Sequence, residues 1–176
     1  MHPKLRLFLA TFLVTYPLDQ LTKWIVVSRF YYGESVEVIP GFFNLTYVRN
    51  PGGAFSLFAT GPETIRIAFF IGTGVVAVAL LVVLYRRLES QALLAAAALG
   101  TILGGALGNL TDRIRIGEVI DFLDFHIAGY TWPTFNVADS CIVVGVTFLI
   151  FEIFMATDED VELEPAAKTE VGADRL

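Results

Sequence analysis

The sequence predicts a membrane protein: four transmembrane α-helices with a small extracytoplasmic β platform. Three observations carry that prediction. Hydrophobic residues make up 55% of the 176 residues and charged ones only 17%, where soluble domains carry about 25% charged residues. A chain this short has too little interior to hide such an excess. Four segments are apolar over roughly the 20 residues needed to cross a bilayer. Between the first two lies a stretch rich in aromatic and β-branched residues, bounded by turn signals, which reads as short strands rather than a linker. This composition argues against a disordered chain, a nucleic-acid binder and a disulfide-stapled secreted domain.

The first expected span covers residues 5–27. Lys4 and Arg6 precede it, and Asp19 and Lys23 lie within it. No small-x-small cleavage site follows, so it reads as a retained helix rather than a cleaved leader. Pro17 is expected to loosen the backbone hydrogen bonding just before Asp19. The loop 28–64 contains Val36, Val38, Phe42, Leu45 and Tyr47 in a strand-like pattern, then the turn signal Asn50-Pro51-Gly52-Gly53. Its aromatic residues Tyr31, Tyr32, Phe42, Phe43, Tyr47, Phe55 and Phe58 favour the lipid headgroup layer. The loop is therefore expected to form a β platform on the outer leaflet.

The second span, 65–85, has Arg66 at its edge and ends at Arg86 and Arg87. The third, 91–111, has no charged residue. Its Gly100, Gly104 and Gly108 are spaced four apart, which puts them on one helix face where a neighbouring backbone can come close. The loop 112–135 is expected to be anchored by Trp132 and to leave His126 solvated. The fourth span, 136–156, has Asp139 near its start and Glu152 near its end, and Cys141 reads as a small buried hydrophobe. Residues 1–156 thus form a single membrane domain. Between Thr157 and Leu176, seven acids against two bases account for five of the six net negative charges. That tail reads as solvated and disordered. Dense basic charge at the N-terminus and in the link after the second span puts both of them, and the tail, on the cytoplasmic side. Loops 28–64 and 112–135 then face outward.

Ionisable residues inside spans are costly and lean functional. Here the polar groups gather near the outer ends of the spans. Asp19 and Lys23, four apart, share a helix face and can be either a structural ion pair or part of a site. Asn109, Asp112 and Arg113 close the third span, and Asp121 and Asp139 can meet where the chain leaves the third span and enters the fourth. Two carboxylates in a poorly hydrated site do not ionise together; one keeps its proton. Such a pair can activate water as base and protonate a carbonyl as acid, with no metal or cofactor. Equally, Asp139 could only complement a helix dipole. With two histidines and one cysteine, no H-E-x-x-H and no G-x-S-x-G, zinc and serine chemistry have no carrier. The residues alone leave open an aspartic hydrolase, an ion-coupled carrier using Asp19, Asp121 and Asp139, and an assembly factor using the glycine stripe and aromatic loop.

Five stretches resemble one family, the bacterial lipoprotein signal peptidases, also called type II. They are Asp19-Gln20-Leu21-Thr22-Lys23, Asn50-Pro51-Gly52-Gly53-Ala54-Phe55-Ser56, and Gly104 through Arg113 (Gly-Gly-Ala-Leu-Gly-Asn-Leu-Thr-Asp-Arg). Gly117-Glu118-Val119-Ile120-Asp121-Phe122 and Phe135-Asn136-Val137-Ala138-Asp139-Ser140 complete the set. They occur in the family's order and cover residues 5–156. The resemblance implies an aspartic endopeptidase of the bacterial inner membrane. Its substrate would be a prolipoprotein whose cysteine carries diacylglycerol, cut just before that cysteine. It implies Asp121 and Asp139 as the catalytic pair. Asp19, Lys23, Asn50, Asn109, Arg113 and Asn136 would orient the pair or bind substrate backbone. Membrane lipids and globomycin-like cyclic peptides are the other implied partners; no cofactor, metal or nucleic acid is expected, and a monomer is. Pro51 departs from the family's pattern and should hold Asn50 extended.

Overall fold

The computed structural model describes residues 1–52, 62–127 and 129–162, with side chains in the last helix given through Glu152 and at Phe154. Phe55, Phe58 and the tail beyond residue 162 lie outside the described residues. Four helices, α1 (Pro3–Arg29), α2 (Glu63–Arg87), α3 (Leu93–Ile116) and α4 (Val137–Glu162), carry a sheet formed by β1 (Ser35–Ile39), β2 (Phe43–Asn50), β3 (Val119–Ile127) and β4 (Tyr130–Thr131). Among the described residues, α2 and α3 are long and apolar enough to cross a membrane.

α3 is the hub, packing against α1, α4 and α2. Its small residues make this possible. A Cβ at Gly100 would collide with the Phe8 carbonyl and the Thr11 hydroxyl, and one at Gly104 with Thr15. One at Gly108 would strike the Asp19 carboxylate, and one at Gly105 would meet the Ala138 carbonyl of α4. The stripe seen in the sequence is therefore the seam between α1 and α3. The Thr11 hydroxyl also donates across it to the Ala97 carbonyl at 2.9 Å. Beneath it sits a cluster of Phe8, Ala96, Leu99 and Leu103. α2, by contrast, buries none of its residues. Val75, Val76, Leu80, Val83 and Leu84 on α2, and Val143, Phe148 and Phe151 on α4, face outward. Such broad apolar exposure fits helices bathed in lipid rather than water.

α1 runs through Pro17 without ending; the proline costs a hydrogen bond but the neighbouring helix holds the segment straight enough to continue. α3 extends to Ile116, beyond the expected end at residue 111, because Asp112, Arg113 and Arg115 lower the hydropathy without breaking the helix. Gly117, left-handed at φ 77°, ends it and turns the chain back. α4 likewise continues to Glu162, so the first residues of the expected disordered tail are helical.

The sheet is antiparallel in the order β1-β2-β3-β4. The expected strands of the first loop are β1 and β2. The second loop supplies β3, a central strand that its sequence did not announce, and His126 lies on it. His126 is therefore not simply solvated: its ring meets the Asp124 carboxylate at 3.1 Å and the Thr131 hydroxyl at 3.1 Å. Leu45 pairs with Leu123 but Val48 with Asp121, so β2 carries one extra residue. A bulge of this kind sharpens strand twist and re-aims side chains. Tyr47, within it, packs with Val26 of α1 and Phe122 of β3 and seats the sheet on the helices.

Candidate active site

Two returns of the chain build the site. After Gly117, β3 brings Asp121 beside β2. Phe135 then exchanges backbone hydrogen bonds with Leu123, at 2.8 and 3.1 Å, which delivers Asn136 to the start of α4.

Asn136 and Asp139 form a reciprocal cap. The Asp139 backbone N–H donates to Asn136 Oδ1 at 2.9 Å, and the Asn136 backbone N–H donates to Asp139 Oδ2 at 3.2 Å. This is a capping box built from Asn and Asp. The Ala138 N–H, which would otherwise be orphaned in the same turn, donates at 3.0 Å to Asp19 Oδ1 from α1. A carboxylate from another helix thus completes the cap.

The remaining side chains lock these groups together. Asn136 Nδ2 lies within hydrogen-bonding distance of Asp121 Oδ1 at 2.7 Å and Asn109 Oδ1 at 3.1 Å, and Asn109 Nδ2 donates to Asp139 Oδ1 at 2.8 Å. Lys23 Nζ donates to Asn109 Oδ1 at 2.9 Å and pairs with Asp19 at 3.0 Å and Asp112 at 2.8 Å. Gln20 Nε2 reaches both of those carboxylates, at 3.1 and 3.3 Å. Asp112 also accepts the Ile120 N–H at 3.3 Å, tying α3 to β3. Asp19, Lys23, Asp112, Asp121 and Asn136 are all buried.

The two aspartates differ in their surroundings. Asp139 accepts an N–H hydrogen bond on each oxygen. At Asp121, burial pushes the carboxyl from an ordinary 3.8 up to about 7, and the nearby Asp139 charge adds to the rise. Hydrogen bonds from Asn50 and Asn136 and the Lys23 charge pull the other way. Burial therefore favours the protonated form of Asp121 up to near-neutral pH.

Asn50, the last residue of β2, is extended as Pro51 requires, and its Oδ1 accepts the Gly52 N–H at 3.0 Å. Arg113 anchors that turn, donating to the Gly52 carbonyl at 3.1 Å and lying 4.9 Å over the Phe70 ring of α2. All eight sequence-predicted residues therefore belong to one connected region. Arg113 and Asn50 shape its α2 side. Asp19 and Lys23 support it from α1.

A family model described as signal peptidase (SPase) II matches residues 11–155. The chain belongs to the signal peptidase II family. The lipoprotein signal peptidase of Syntrophus aciditrophicus is 45% identical over 159 residues, 90% of this chain and 99% of that protein. That of Geobacter sulfurreducens is 48% identical over 153 residues, covering 87% and 94%. A bacterial membrane enzyme solved by the in meso method at 2.3 Å resolution superposes with a TM-score of 0.77 at 33% identity, covering 94% of each chain. Another, at 1.9 Å, gives 0.73 and 34%, covering 83% of this chain and 91% of that one. This signal peptidase II is accordingly a membrane protease.

Two members of the site were given no role from the sequence, although Asp112 stands out there beside Asn109 and Arg113. Gln20 and Asp112 stand inside the matching motifs, but only the fold shows them closing the network around Lys23. The available signal was helical spacing: Asp112 follows Asn109 by three residues and so shares its face.

Proposed function

We propose that this signal peptidase II is an intramembrane aspartic endopeptidase that removes the signal peptide from diacylglyceryl-modified prolipoproteins, cutting before the lipidated cysteine. The observation that carries the reading is the convergence of Asp121 and Asp139, from a strand and a helix, in one hydrogen-bonded network through Asn136 and Asn109. Asp139, held by N–H donors, acts as the base, and Asp121 as the acid. Water attacks the scissile carbonyl carbon while Asp139 takes its proton and Asp121 protonates the carbonyl oxygen. The resulting diol returns a proton to Asp121. Asp139 passes its proton to the amide nitrogen as the C–N bond breaks. Asp19, Lys23, Asn109 and Asn136 hold the pair in register, and Asn50 and Arg113 receive substrate backbone.

All four helices span the bacterial inner membrane in this reading, with both termini in the cytoplasm and the sheet on the outer leaflet. α2 packs on α3 without comparable contact to α4, so an apolar signal helix can enter from the bilayer between α2 and α4. The lipid chains stay in the leaflet while the peptide bond reaches the dyad. A globomycin-like cyclic peptide would occupy the same cleft, and the working unit is a monomer. The carrier and assembly-factor alternatives lose their support with membership of a peptidase family.

The test is a gel-shift cleavage assay on purified full-length protein, with a diacylglyceryl-modified prolipoprotein beside its unlipidated precursor. Cleavage of the lipidated form alone, lost in Asp139→Asn, is expected. Cleavage by a folded Asp139→Asn at the wild-type rate would refute the dyad.

A further inference from the structure

A cavity of about 130 Å³ lies between α1, α3 and the sheet, with Trp24 and Val27 of α1, Arg49 of β2, and Arg115 and Ile116 of α3 among its lining residues. Arg113 and Arg115 are two residues apart, which turns them about 200° from one another around the helix. Arg113 serves the catalytic side, and Arg115 serves this one.

The charges around the cavity divide into committed and free. Lys23 is buried and held by Asp19, Asp112 and Asn109. Arg49 donates from Nε to the Tyr47 hydroxyl at 2.9 Å, lies against the Tyr32 and Tyr47 rings, and feels the Glu118 carboxylate. Its outer guanidinium nitrogens make no hydrogen bond among the described residues. Arg115 is exposed and has neither a hydrogen bond nor an ion pair among the described residues. Trp24, Val27 and Ile116 on the cavity rim expose 65%, 42% and 40% of their surfaces. Two guanidinium forks therefore overhang a strip of exposed apolar surface that runs along two helices.

We propose that this cavity binds the phosphate of an anionic phospholipid, between Arg115 and Arg49, with the acyl chains lying along Trp24, Val27 and Ile116. Guanidinium groups match phosphate oxygens through paired N–H donors, and basic pockets between membrane helices recruit lipid headgroups. A free phosphate would satisfy the arginines equally but would leave the apolar strip uncovered. The inference rests on the membrane orientation proposed above. It does not depend on the cleavage chemistry.

Native mass spectrometry of the purified full chain in detergent tests it, with phosphatidylglycerol, phosphatidylcholine or inorganic phosphate as the probe. Wild type is expected to retain one phosphatidylglycerol in preference to phosphatidylcholine, and R115Q and R49Q each to bind it about fivefold more weakly. R86Q, at the far end of α2, should match wild type. Because Arg115 is exposed and makes no hydrogen bond or ion pair among the described residues, R115Q tests binding without removing a described polar contact of the fold. Wild-type retention by R115Q would overturn the proposal. Binding of inorganic phosphate as tight as that of the lipid would overturn the lipid assignment and leave a simple anion site. Neither result depends on whether the protein cleaves a prolipoprotein.

Discussion

Replacing Asp121 with asparagine is expected to abolish cleavage and, at the same time, to stabilise the fold above acidic pH. The carboxyl is 3% exposed and sits at about 7 in the folded chain against an ordinary 3.8. A folded-state value above the unfolded one means that the native protein binds the proton more tightly. Stability contributed by the wild-type residue is therefore full below pH 4 and is lost as pH rises to 7. At 1.36 kcal/mol per pH unit, the loss reaches about 4 kcal/mol. Asparagine is always neutral, and its Oδ1 can still accept the 2.7 Å bond from Asn136, so it escapes the loss. Equilibrium unfolding in mixed detergent micelles at pH 4, 5, 6, 7 and 8 measures it. The advantage of Asp121→Asn should be near zero at pH 4, grow through pH 5 and 6, and level off above pH 7. A difference that stays flat with pH, or a mutant less stable at every pH, would refute the argument that burial governs this carboxyl. In wild type, kcat/KM should fall as pH rises through about 7, when the acid of the pair loses its proton.

The other substitutions have different signatures. Asp19→Asn removes the charge that pairs with Lys23 and puts an amide donor in place of one of the two oxygens that serve Ala138 N–H on one side and Lys23 and Gln20 on the other, and breaking a buried ion pair costs about 3–5 kcal/mol; unfolding midpoints should drop at neutral pH, and an unchanged midpoint would count against this supporting role. Gly108→Ala drives a Cβ into the Asp19 carboxylate, and overpacking of this kind costs about 1–3 kcal/mol. Its thermal stability should fall while Gly72→Ala, whose Cβ would meet nothing, stays near wild type. Arg113→Ala frees the turn at Gly52, a charged hydrogen bond whose loss corresponds to about 10–100-fold in rate. Steady-state kinetics check it, and an unchanged rate together with unchanged inhibitor affinity would speak against the role.

The helices were legible because their signal is local. Each apolar run is long, and the glycine spacing states which face of α3 must be approached. That Asp121 and Asp139 would come together in one network was legible for a related reason: they flank a single connection between neighbouring elements. β3 was harder. Asp121 and Asp124 interrupt the apolar pattern of Val119–Ile127, and the strand exists because β2, some 75 residues earlier in the chain, pairs with it. Long-range pairing leaves little trace in a short window. The end of α3 was missed for the opposite reason. Hydropathy stops at the polar residues, but the backbone stops only where Gly117 can adopt a positive φ.

Asp19 and Lys23 could be read from the sequence as a structural ion pair or as part of a site, and the fold removes the need to choose. Asp19 is four residues from Lys23 on α1, but its other oxygen caps α4. Lys23 in turn fixes Asn109 Oδ1, which leaves Asn109 Nδ2 directed at Asp139. α1 contributes neither dyad aspartate, yet it constrains Asp139 twice, through the helix start and through Asn109. Gly108 makes this possible, since only a residue without a side chain lets Asp19 pass beneath α3 to reach α4. A positioning role of this kind requires the pair to be buried and rigid. The same burial raises the Asp121 carboxyl to the value at which it can hold a proton near neutral pH. Loss of Asp19 should therefore lower stability, whereas loss of the Asp121 charge should raise it. The two substitutions touch the same network and are expected to have opposite signs in the unfolding experiment.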